Sequence, residues 1–154
     1  MFKTILFDLD GTLTDPGEGI TRCVQRTLTH FGIHVEDRGE LGCFVGPPLR
    51  EGFARFYGFD PAKAEEAAKI YQGYFRGEGM AQNRIYPGIS SLLSELKATG
   101  KVLALATSKP LVFAREILER FEIDGYFSFL SGAELDGRRS RKAEVIAYAL
   151  EGLG

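Results

Sequence analysis

The sequence predicts an α/β protein in which a Rossmann-like parallel sheet core is interrupted by an inserted helical domain. Three observations predict it. A short apolar run near the N-terminus reads as a strand, the chain from 16 to about 84 carries only helical periodicity, and after Tyr86-Pro87-Gly88 helical and strand patterns alternate. Strands separated by helices belong to a parallel sheet.

The elements follow in order. Lys3 to Asp8 is a β-branched and aromatic run without breakers, the pattern of a strand buried on both faces. Asp15-Pro16 supplies a cap and a first-turn proline for a helix whose apolar stripe runs through Ile20, Cys23, Val24, Thr27, Leu28 and Phe31 to Gly32. Gly46-Pro47-Pro48 opens a second helix through Leu49, Phe53, Phe56 and Tyr57. Asp60-Pro61 opens a third through Ala64, Ala67, Ala68, Tyr71, Tyr74 and Phe75, with Glu65 four residues ahead of Lys69 on its solvent face. The glycine-rich stretch from Gly77 to Asn83 reads as a linker. Beyond it the pattern predicts a helix from Ile89 to Gly100, a strand from Val102 to Ala106 and a helix from Pro110 to Phe121. A strand from Tyr126 to Leu130 and a helix from Ser140 to Leu150 follow. Residues 1–15 and 85–154 are thus expected to form the core, and 16–84 a helical cap.

With 154 residues, 44% hydrophobic, 26% charged and a net charge of -2, the composition is that of a globular domain and excludes general polyanion binding. The N-terminal apolar run stops at Asp8, too short for a signal peptide or a membrane span, so a cytoplasmic protein without a membrane partner is expected. Cys23 falls on a helical apolar stripe and Cys43 has no paired spacing, so a buried free thiol is expected rather than a disulfide or a metal site. His30 and His34 flank a helix end and are not read as ligands. The basic cluster Arg138-Arg139-Ser140-Arg141-Lys142 fits a phosphate site better than nucleic acid, because the rest of the chain is mildly acidic.

The chemistry gathers at strand ends. In extended backbone, side chains at i and i+2 point the same way, so Asp8 and Asp10 project together beyond the carboxyl end of the first strand, where open α/β sheets bind ligands. Two adjacent carboxylates repel unless a cation or proton lies between them, and Mg2+ prefers such hard oxygen donors. The competing reading makes Asp10-Gly11 an ordinary turn. Thr107 and Ser108 follow the second core strand just before a helix start, where hydroxyls and amides face anions, although a plain helix cap explains them as well.

These residues resemble a known family. Asp8-Leu9-Asp10-Gly11-Thr12-Leu13 is similar to the first motif of the haloacid dehalogenase (HAD) superfamily. The likeness to its phosphoglycolate phosphatase-like members extends through Gly46-Pro47-Pro48-Leu49, Tyr86-Pro87-Gly88, Ala106-Thr107-Ser108-Lys109-Pro110 and Glu134-Leu135-Asp136-Gly137. The resemblance implies a HAD-like Rossmannoid core with a helical cap and a Mg2+-dependent phosphatase. In it Asp8 is the nucleophile, Asp10 the acid and base, and both are metal ligands. Gly11 and Thr12 of the first motif, Thr107 with Ser108, and Lys142 would bind phosphate. Arg50 would hold a substrate carboxylate and the cap would act as a lid. A small phosphate ester is the implied partner, phosphoglycolate first, with nucleoside monophosphates, pyrophosphate and sugar phosphomutase chemistry as alternatives; oligomeric state is left open.

Family members also carry a fourth, acidic motif on a strand beyond the lysine helix. After Lys142 the acids are Glu144 and Glu151, both on the predicted last helix. A weakened metal site and an unpaired edge on the first strand are therefore expected, in either a truncated phosphatase or a catalytically impaired phosphate-binding or partner-dependent module.

Overall fold

A computed structural model describes residues 2–154. The strands are β1 (Thr4–Phe7), β2 (Thr14–Asp15), β3 (Arg84–Ile85), β4 (Val102–Pro110) and β5 (Phe129–Ala133). The α-helices are α1 (Gly17–His30), α2 (Leu49–Tyr57), α3 (Pro61–Tyr74), α4 (Ile89–Ala98), α5 (Leu111–Arg120) and α6 (Lys142–Leu153). The chain divides into two compact units, one comprising the residues up to Asp15 with Ile85–Gly154, the other Pro16–Arg84.

The first unit is built on a parallel sheet in the order β1-β4-β5. β4 is central, and Leu103, Ala104 and Leu105 are fully buried in it. β1 takes the edge. Its Thr4 is exposed and Ile5, Leu6 and Phe7 are half-buried, so the expected two-sided burial belongs to β4 instead. Position in the sheet decides this, since an apolar run of four residues looks the same at an edge as at the centre. α5 covers the sheet with Phe113, Ala114, Ile117 and Leu118, while α6 packs Val145 and Ala149 on Ala106, flanked by Leu6, Phe129 and Ile146. Each of the larger of these side chains, Phe113, Ile117, Leu118 and Val145, contributes about 1.5–3 kcal/mol on leaving water.

β4 and β5 differ from expectation in their boundaries. β4 runs on to Pro110 instead of stopping at Ala106, and α5 starts at Leu111. Between Ala106 and Pro110 the register breaks. The two pair with Ser131 and Ala133, so four steps along β4 match two along β5, and Thr107, Ser108 and Lys109 occupy a bulge. β5 spans Phe129–Ala133 where a strand from Tyr126 to Leu130 was expected, because Asp124–Tyr126 is a 3₁₀ turn and the strand runs on past Leu130.

The second unit is helical, as its periodicity predicts. α3 is capped by the Asp60 carboxylate, which accepts the Lys63 N–H at 2.8 Å, with Pro61 in its first turn. The expected linker from Gly77 to Asn83 is not open chain. Phe75–Gly79 forms a π-helical turn and Met80–Gln82 a 3₁₀ turn. The glycines serve close packing rather than a loop, since a Cβ on Gly19 would lie 2.2 Å from the Gly79 carbonyl oxygen. Arg38–Phe44 adds a 3₁₀ segment that periodicity did not predict; the Asp37 carboxylate accepts the Gly39 N–H at its start.

Candidate active site

β1 ends at Phe7 and delivers Asp8 to the carboxyl edge of the sheet. The chain then folds tightly over the Leu9 carbonyl, which accepts the N–H groups of Thr12 (3.1 Å), Leu13 (2.9 Å) and Thr14 (3.1 Å). Gly11 makes the turn possible. Its φ of 78° lies in the left-handed region, and its N–H donates to the Thr14 carbonyl at 2.8 Å. Leu9 and Leu13, fully buried, anchor both sides of the turn. The backbone amides of Gly11 and Thr12, residues expected at a phosphate, donate inside the turn, whose effect is to aim Asp10.

Each acidic side chain meets a lysine. Asp8 Oδ1 accepts the Leu9 N–H at 2.8 Å, and Oδ2 pairs with Lys142 Nζ at 2.7 Å. Lys142, the first residue of α6, also donates to the Ala106 carbonyl at 3.1 Å, which ties the helix start to the end of β4. The Glu144 carboxylate closes that helix start by accepting the Arg141 N–H at 3.0 Å. Asp10 Oδ2 pairs with Lys109 Nζ at 2.7 Å, and both side chains are deeply buried, 10% and 5% exposed. Asp10 Oδ1 is buried and has no hydrogen-bond partner among the described residues.

Thr107 is buried and its Oγ1 accepts the Lys109 N–H at 3.2 Å, which leaves the hydroxyl proton for an anion. Ser108 stands beside it in the bulge rather than at a helix cap. A cleft of about 200 Å3 opens at Asp8 and Lys142, walled by Leu6, Phe7, Ala106 and Ile146. Arg50 lies in the other unit, where its Nε and Nη2 grip the Glu65 carboxylate at 2.5 and 3.2 Å. Among the described residues no three His, Cys, Asp or Glu side chains gather into a metal site. Asp8 and Asp10 are the hard donors at this strand end.

A paired aspartate turn after the first strand, with a lysine on each carboxylate, coincides with a family match. The model of haloacid dehalogenase-like hydrolases covers residues 5–154. The chain belongs to the haloacid dehalogenase-like hydrolase family. A 5'-nucleotidase of Pseudomonas aeruginosa is 50% identical to this hydrolase over 99% of the chain and 69% of its own length. The tyrosine-protein kinase PtkA of Mycobacterium tuberculosis is 40% identical over 96% of the chain, which spans half of that protein. A predicted phosphatase from Clostridium acetobutylicum superimposes with a TM-score of 0.98 at 49% identity, over 99% of this chain and 71% of the other. The α/β fold with a parallel sheet core and the assignment to phosphoric monoester hydrolases both agree with what the motifs implied.

Lys109 is the site residue that sequence reasoning passed over. It stands in Thr107-Ser108-Lys109-Pro110, but a lysine beyond a strand is ordinarily solvated. The signal was the spacing. Thr107 and Lys109 lie two apart at the carboxyl end of the central strand, which adjoins the strand that leads into the aspartates, yet only the bulge turns the lysine inward.

Proposed function

We propose that this hydrolase is a Mg2+-dependent phosphatase that cleaves a small phosphomonoester by transferring the phosphoryl group to Asp8. The supporting observation is the arrangement of Asp8 and Asp10 on one turn, each paired with its own lysine at 2.7 Å. Carboxylate oxygens suit a hard cation, and Asp8 and Asp10 present theirs from one turn at the strand end. Asp8 and Asp10 would hold the ion. When bound, Mg2+ supplies positive charge that offsets the charge on the transferring phosphoryl oxygens.

The chain's own groups divide the remaining work. Asp8 attacks phosphorus in line and forms an aspartyl phosphate, while Asp10 gives a proton to the departing alkoxide. Lys142, already on Asp8, balances the anion as it arrives, and Thr107 offers its hydroxyl to a phosphoryl oxygen. Water then attacks the aspartyl phosphate, Asp10 takes the water's proton, and Asp8 is regenerated as inorganic phosphate leaves.

A nucleoside 5'-monophosphate is the leading substrate class, because the relative named 5'-nucleotidase is half identical over nearly the whole chain. Phosphoglycolate, which the motif resemblance favours, ranks second. Its carboxylate needs an arginine fork, and that of Arg50 is occupied by Glu65. The relative named a tyrosine kinase supports a second reading in which an acceptor hydroxyl replaces water.

The test measures inorganic phosphate released in Mg2+ from nucleoside 5'-monophosphates, phosphoglycolate, pyrophosphate and glucose 6-phosphate. Asp8→Asn should lower the rate by at least ~10³-fold, since it removes the nucleophile itself. A rate that Asp8→Asn leaves unchanged excludes the mechanism. Transfer of phosphate from ATP to a tyrosine peptide, with none released from the esters, selects the second reading.

A further inference from the structure

Among the described residues Lys109 is the one charged residue that is buried, at 8% exposed. Stability does not account for it. Enclosing an ion pair costs desolvation that its attraction roughly returns, so such a pair adds little to the fold. What the pair does add is orientation.

The bulge of β4 and the close approach of β5 set the Lys109 backbone. A Cβ at Gly132 would lie 2.9 Å from the Lys109 carbonyl oxygen, so the two strands touch there. The Lys109 N–H is tied to Thr107 Oγ1. On the opposite side, the turn over the Leu9 carbonyl sets the backbone of Asp10. Between these two supports the Nζ to Oδ2 contact of 2.7 Å holds one carboxylate oxygen, and the other, Oδ1, has a lone pair with no donor. With Oδ2 clamped, Oδ1 is the oxygen of this carboxylate left to take up a proton.

We propose that Lys109 is a positioning residue for the second half of the reaction, holding Oδ2 of Asp10 so that Oδ1 receives the proton of the hydrolytic water. The inference rests on the phosphatase reading above. In the step concerned, the water oxygen bonds to phosphorus, the bond from phosphorus to the Asp8 oxygen breaks, and the water proton passes to Asp10 Oδ1. Asp8 recovers its carboxylate and inorganic phosphate departs.

The test compares wild type, Lys109→Met and Lys109→Arg on 4-nitrophenyl phosphate in saturating Mg2+, with thermal melting to confirm folding. Nitrophenolate leaves without being protonated, so the first step with this substrate does not need Asp10. Lys109→Met should lower kcat by ~10²-fold, the scale of a misplaced general base, and lower KM in parallel, leaving kcat/KM within about three-fold. Nitrophenolate should appear in a burst of one equivalent per protein, and quenched samples should carry a phosphoryl group by intact mass. Lys109→Arg should restore most of kcat and abolish the burst. If Lys109→Met does not fold, Lys109→Gln should give the same split at smaller amplitude.

A fall in kcat/KM equal to that in kcat, without a burst, overturns the proposal by placing Lys109 in phosphate binding or the first step. Recovery of kcat in Lys109→Met when Mg2+ is raised above the concentration that saturates wild type overturns it by assigning Oδ1 to the metal. A burst that persists in Asp8→Asn/Lys109→Met fails the phosphatase reading instead, because the phosphoryl group then rests on another residue.

Discussion

At Asp8 the carboxylate is held by the Leu9 amide on one oxygen and Lys142 on the other, so the side chain is fixed before any ligand arrives. Lys142→Ala should lower kcat/KM by ~10²-fold or more, as removal of a charge-stabilising donor does elsewhere, with the melting temperature nearly unchanged because the pair is partly exposed. Gly11→Ala tests the turn that aims Asp10. A Cβ there meets nothing within 4 Å, so the strain is that of the left-handed backbone alone, about 1–2 kcal/mol. Urea unfolding measures that loss. The two thiols separate by exposure. Burial pushes Cys23 up to about 11, with the Glu78 carboxylate adding to the rise, whereas Cys43 is exposed. One thiol per folded chain should therefore react with an aromatic disulfide reagent at pH 8, and two after unfolding. The expectation of a buried Cys23 came from helical spacing, which reports a face directly. Lys109 carried no such signal, because a bulge has no period.

Among the elements, α1 and the π-turn that ends α3 meet through glycines. Gly19→Ala would drive a methyl group into the Gly79 carbonyl, and the backbone shift needed to relieve it should cost about 1–3 kcal/mol, seen as a lower urea midpoint. The same two helical elements are joined by charge. Glu78 is held below the usual carboxylate range by its hydrogen bond to Arg26, and Glu18 is lowered in the same way by Arg38 and then Arg22. The glycine-rich stretch reads as a linker in sequence because glycine lowers helix propensity. In the structure the need to bring two backbones together overrides that propensity. β4 misled in the opposite direction, since Thr107 and Ser108 look like cap residues and only the pairing of Pro110 with Ala133 shows that the strand continues.

Across the molecule, the acid response belongs to the helical unit. Glu18, Glu65 and Glu78 all have folded-state values depressed by arginine partners. A depressed carboxylate stabilises the fold above its unfolded-state value, and the contribution disappears as pH falls through the folded-state value. Urea midpoints should therefore drop between pH 5 and pH 3, and the drop should be smaller in high salt, because these pairs are solvent-exposed and screened. No helix among the described residues is long and apolar enough to cross a membrane. The α/β class, the order of most helices and strands, and the carboxylate pair at Asp8 and Asp10 were determined by the sequence alone, because periodicity and short-range spacing act within a few residues. Which strand lies at the centre, the inward turn of Lys109 and the occupation of Arg50 by Glu65 were decided by tertiary structure. Each depends on separate elements meeting at one place, Arg50 and Glu65 being 15 residues apart and Lys109 and Asp10 99, and no local pattern carries those distances.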